Sequence, residues 1–268
     1  MDQQPQKPDS EEQQFNGSLG LKSGTRAYAR VMDIKELVQN IRDGRHKSHS
    51  YLARRALTNS EFLLLLAYMN SEKCDPNLWK YFNEELRYEY TPSREEFLIR
   101  MPSFLHDGLA EEVGMDIGAW LRNIQNGTIC SNQKTIEIAE CIGGSGTANM
   151  TLPATTTQTG RKGPDKAYQH SECDYPGLVI EVAWSQRELD LPQLAEDYII
   201  GSKGEIKTVV GINIYDINDD SKGKELDNRL TSARATFTIW KAECTEQGSN
   251  TRVTVRSIVK DKVNAPAH

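Results

Sequence analysis

The chain has 268 residues, of which 37% are hydrophobic and 26% charged, and its formal net charge is -6. That length and apolar content can bury one substantial core plus an appendage, which excludes a fibrous chain or one disordered throughout. The acidic balance argues against the broad basic face that non-specific nucleic-acid binding uses, while leaving room for local basic patches.

Residues 1 to 28 are rich in Gln, Pro, Ser, Gly and charge, too poor in apolar groups to offset the entropy of ordering, and read as a disordered tail without a signal-peptide core. The segment "MDIKELVQNIRDG" then predicts an amphipathic helix, with Asp33 as N-cap, a stripe of Ile34, Leu37, Val38 and Ile41, and Gly44 as its stop. A second helix is predicted over "NSEFLLLLAYMNS". Its apolar residues run all the way round, so other elements should enclose it. "DPNLWKYFNEEL" predicts a third, and residues 29 to 85 are taken together as a helical extension. The longest apolar run, Phe62 to Met69, falls well short of the roughly 20 residues a membrane-spanning helix needs, so an intracellular protein is expected. The five cysteines (Cys74, Cys130, Cys141, Cys173 and Cys244) are odd in number and irregularly spaced, which suits reduced thiols better than a disulfide frame or a zinc site.

From Arg87 the period changes: "RYEYTPSREEFLIRMP" sets two β-rich runs around a turn. A helix follows from about Leu105, with a face of Leu109, Val113, Ile117, Trp120, Leu121 and Ile124. "KTIEIAECI" and "GTANMTLP" are predicted strands divided by the turn "GGSG", and a Thr-rich loop runs on to Lys162. Residues 165–170 and 178–184 predict two more strands. A helix at "DLPQLAEDYIIGSKG" and an apolar strand at "IKTVVGINIYD" complete a crossover unit with parallel pairing. The alternating runs "ARATFTIWKAE" and "TRVTVRSIV" predict an antiparallel hairpin on the sheet edge. The expected class is α/β, a mixed sheet flanked by helices over residues 86–262.

Glu181 stands in the middle of the buried run "LVIEVAW". Alternation puts Val179, Glu181 and Ala183 on one face, and an unpaired carboxylate there is costly, so it should bind a cation, accept strong hydrogen bonds or carry a proton. Asp165 lies 16 residues upstream, at the start of the preceding strand. Two acids on adjacent strands can converge on one divalent ion. His106, weighed as a phosphate or metal contact near the helix start, reads rather as a capping or surface histidine, and His170 with Cys173 has no matching second pair for zinc.

"GPDKAY", "YPG", "LVIEVAWSQ" and "DLPQLAEDYI" followed by "GEIKTVVGINI" resemble, in order and spacing, a restriction endonuclease family of the PD-(D/E)XK nuclease superfamily, especially its fungal members. The upstream "RYEYTPSREEFLIRMPSFLH" is similar to that family's first hairpin and core helix. The resemblance implies a restriction-endonuclease-like fold in which Asp165 and Glu181 hold Mg²⁺ or Mn²⁺ for phosphodiester hydrolysis, with nucleic acid as the partner. Glu112 or its neighbour Glu111 would add a carboxylate, and Asn149 another group near the site. The chain departs from the family at Ala183, where a lysine two residues after the glutamate is usual, and the following helix supplies no substitute. Gln186 could orient a water as a neutral group, Lys166 should point to the opposite face, and Arg187 and Lys203 are looser candidates. Two readings therefore stay open, a metal-dependent nuclease and a catalytically inactive nuclease fold that binds. A third has the N-terminal helices recruiting a protein partner or a second copy.

Overall fold

The computed structural model describes residues 26–46, 52–101, 104–153, 159–184, 190–215, 234–247 and 250–264. The expected disordered tail, apart from its last three residues, and both Gln186 and Arg187 lie outside these. The described residues form a mixed α/β protein of six α-helices and eleven strands. They divide into two compact units. The first comprises residues up to Leu98 apart from a short stretch before Arg54, so most of the predicted hairpin groups with the helical extension, while its last residues, Ile99 and Arg100, belong to the second unit.

In the first unit, helix α1 (Arg26–Arg42) begins earlier than predicted. Asp33 is therefore inside the helix rather than its cap, and pairs with Arg55 at 2.7 Å. A short strand that sequence reading passed over, β1 (Leu52–Ala56), precedes α2 (Asn59–Met69). Thr58 and Glu61 form a reciprocal capping box at the start of α2, and Glu61 also pairs with Arg30 at 3.0 Å. Phe62, Leu65 and Met69 are buried, and of the run Phe62–Met69 only Ala67 is exposed, close to the enclosure expected. Helix α3 (Pro76–Lys80) passes into a π-helical turn ending at Glu85. Strands β2 (Tyr88–Thr91) and β3 (Glu96–Arg100) form the predicted hairpin. Phe62 stacks on Tyr90 at 3.9 Å, and Phe82 on Tyr88 at 4.4 Å.

The second unit runs through helices α4 (Phe104–Gln125) and α5 (Gln133–Glu140), strands β4 (Ile142–Gly144), β5 (Met150–Pro153), β6 (Thr159–Lys162), β7 (Lys166–His170) and β8 (Leu178–Trp184), helix α6 (Leu191–Gly201), and strands β9 (Thr208–Tyr215), β10 (Arg234–Gln247) and β11 (Asn250–Asn264). Six strands form one sheet in the order β11-β10-β9-β8-β7-β4. β8 and β9 are parallel across α6, as the crossover pattern predicts, and the β10–β11 hairpin closes one edge. Val179, Ala183, Leu194, Ala195, Tyr198 and Ile199 pack on the α6 side of this sheet, while Val182 and Ile214 meet Ala110 of α4 on the other.

Several predictions for this unit need correction. "KTIEIAECI" is largely helix, because Asn132 caps it by accepting from the Thr135 N–H at 3.1 Å. Ile136 and Ala139, three apart, then share the inner side, and the strand that follows is built from the two glycines read as a turn. Trp120, assigned to the inner face of α4, is 60% exposed. The Thr-rich loop also contains a strand, β6, paired antiparallel with β5.

Candidate functional site

Asp165 precedes β7 and Glu181 occupies the centre of β8, and the antiparallel register of those strands sets Lys166 opposite Ile180. The two carboxylates are therefore neighbours across one ladder. Both are buried, at 1% and 0% exposure. On β9, Gly211 stands opposite Glu181. A Cβ there would lie 2.7 Å from Cζ3 of Trp240, so only glycine lets the indole close over this part of the sheet.

The cation between the acids is Arg100, the last residue of β3. Its Nη1 donates to Oε2 of Glu181 at 2.9 Å, and its Nη2 donates to Oδ1 and Oδ2 of Asp165 at 3.2 and 3.1 Å. A longer contact of 3.4 Å reaches the Gly163 carbonyl. Each carboxylate also accepts from a further donor. The Val182 N–H donates to Oδ2 of Asp165 at 2.7 Å, and the Tyr198 hydroxyl donates to Oε1 of Glu181 at 2.6 Å.

His106, in the first turn of α4, completes the group. Its Nε2 lies 3.1 Å from Oδ2 of Asp165 and its Nδ1 lies 3.2 Å from Oδ1 of Asp107. At 1% exposure it is no surface histidine. Burial works against the charged imidazolium, but the Asp165 carboxylate outweighs that cost with help from Asp107 and against Arg100, and the net effect lifts His106 above the ordinary histidine range. With His106 protonated, Arg100 and His106 balance Asp165 and Glu181.

The other predicted site residues are placed less centrally. Glu112 is exposed on α4, and Glu111 beside it pairs with Lys166. Asn149 is exposed, but its Oδ1 comes within 2.7 Å of where a Cβ on Gly163 would sit, which fixes it against the backbone that leads into Asp165. Ala183 is packed in the apolar cluster beneath α6. The nearby amine of Lys162, buried at the end of β6, pairs with Asp197 at 2.9 Å.

Sequence reasoning found both carboxylates and missed their three side-chain partners. A signal for Arg100 was present: an arginine ending the apolar run "FLIR" is as anomalous in a buried strand as Glu181 is, and two opposite anomalies suggest a pair. Tyr198 sits on the apolar stripe of α6 with Leu191, Leu194 and Ala195, where its ring reads as core and its hydroxyl is easily overlooked.

A divalent ion at this place needs carboxylate oxygens with free lone pairs and an open position for water or substrate. Here every carboxylate oxygen already accepts from an N–H or O–H, and a guanidinium keeps its charge at any ordinary pH. The arrangement therefore suits an internal structural cation better than an exchangeable metal. No family model, curated protein or solved structure matches the chain.

Proposed function

We propose that the second unit is a restriction-endonuclease-like fold that does not cut, and that the chain acts as a binding module. The observation that carries this reading is the Arg100 guanidinium seated between Asp165 and Glu181. A metal-bound water would have to form where that guanidinium lies, and the position of the usual lysine is a buried alanine. The carboxylate pair that would have to hold the metal for phosphodiester hydrolysis is buried and already paired with Arg100.

The convergence of two acids from adjacent strands on one cation is also what a metal-dependent nuclease requires. That second reading needs Arg100 to leave its buried seat. Incubation of the purified protein with single- and double-stranded DNA and RNA in Mg²⁺ or Mn²⁺ separates the two. The parent and Glu181→Ala are expected to be equally inert. Cleavage by the parent that Glu181→Ala abolishes would establish the nuclease instead.

A further inference from the structure

The two edges of the six-stranded sheet are built differently. At one end, β11 carries the exposed Arg252 and Arg256, and its pairing with β10 is interrupted by a bulge between Ile239 and Trp240. Charge and bulges are standard ways to keep an edge from pairing with another chain. At the other end, β4 has neither. Its Gly143 and Gly144 are exposed, and a Cβ placed on Gly143 would meet nothing within 4 Å.

The hydrogen bonds show which way the β4 backbone faces. The Ser145 N–H donates to the Ala167 carbonyl at 2.9 Å, and the Cys141 carbonyl accepts from Ser171 at 2.9 Å. By the two-residue period of an antiparallel ladder, Cys141, Gly143 and Ser145 face β7, while Ile142 and Gly144 turn their amide groups outward. The Ile142 carbonyl takes a long 3.4 Å contact from Gln125, while among the described residues the outward N–H and carbonyl of Gly144 are open. Beside this edge lie two troughs, of ≈ 550 and ≈ 390 Å³, that share Ser145 and Gln169. Among the described residues lining them are the carboxylates of Glu140 and Asp174 and the imidazole of His170, but no Lys or Arg.

We infer that β4 is a docking edge for an extended, basic peptide segment that adds as a further strand, its backbone pairing with Gly144 and its Lys or Arg side chains meeting Glu140 and Asp174. Main-chain pairing supplies affinity in such additions, and alternate side chains supply specificity. The inference names a partner class for the binding-module reading above and rests on that reading for its biological role. Its geometry does not depend on the buried carboxylates.

The probe is a fluorescein-labelled decapeptide of alternating Lys and Val, titrated with the full chain and followed by anisotropy. Saturable binding is expected. The same peptide N-methylated at alternate residues cannot pair as a strand, and a Glu–Val version has the wrong charge, so each should bind at least about tenfold more weakly. Gly144→Pro removes the outward N–H without breaking a ladder bond and should weaken the Lys–Val peptide by about tenfold with circular dichroism unchanged. Glu140→Lys combined with Asp174→Lys should shift preference to the Glu–Val peptide. Absence of saturable binding, or equal binding of the N-methylated peptide to the parent protein, overturns the inference. Equal binding by a folded Gly144→Pro variant does so as well. Nuclease activity in the parent would sink the previous reading and leave this edge untouched, whereas failure of the peptide titration leaves the Arg100 argument standing.

Discussion

Arg100 pairs with both Asp165 and Glu181. Removing one member of a buried ion group leaves the rest uncompensated, so Arg100→Ala should cost about 3–5 kcal/mol of stability by urea unfolding. Tyr198→Phe removes an O–H donor from Oε1 of Glu181 and should cost about 1–3 kcal/mol, because a buried carboxylate loses a hydrogen bond there. His106 makes the cluster pH-dependent, with a sign that follows from its raised pKa. The folded state favours the imidazolium, so its contribution is fully present below the ordinary value of 6.5 and is lost as pH rises through the higher folded value. Urea midpoints measured across that window should therefore fall toward alkaline pH through this group. His106→Gln should flatten that part of the profile, and an unchanged slope would remove His106 as its source.

At the scale of single elements, local chemistry decided what periodicity left ambiguous. The stretch Ile136 to Ala139 is ambiguous, since Ile136 and Ile138 alternate as in a strand while Ile136 and Ala139 share a helix face, and the side chain of Asn132 settles the matter by capping the amide of Thr135. Asn132→Ala should destabilise α5 by about 1 kcal/mol, read as lost helicity or a lowered unfolding midpoint. On β9, Gly211 looks in sequence like a weakness in an apolar strand. Its neighbours explain it: an added methyl would meet Trp240 at 2.7 and 3.0 Å and Leu191 at 3.3 Å. Gly211→Ala should therefore cost about 1–3 kcal/mol in denaturant unfolding, since the ring is wedged between sheet and helix and overpacking forces it to shift. The parallel β8–α6–β9 unit and the β10–β11 hairpin were legible because long buried runs and strict alternation are strong signals. The three-residue β4 and five-residue β1 were not, because segments so short carry no period.

For the molecule as a whole, the internal cation predicts independence from added metal. Mg²⁺, Mn²⁺ or EDTA should leave the thermal midpoint of the parent unchanged, while Arg100→Ala, with two acids and no guanidinium, should gain stability on adding Mn²⁺. A midpoint in the parent that rises with Mn²⁺ would show that the ion competes with Arg100 for the site. Among the described residues no helix is long and apolar enough to cross a membrane, in keeping with the short apolar runs. By itself the sequence determined the mixed α/β class, the order of most elements and the conclusion that Asp165 and Glu181 are a pair needing a positive partner, since burial and alternation are local properties of a strand. Only the tertiary structure decided what that partner is. Arg100 lies 65 residues before Asp165 and 81 before Glu181, and no spacing rule links positions so distant. Their meeting depends on the tertiary placement of Arg100 beside the β7–β8 ladder.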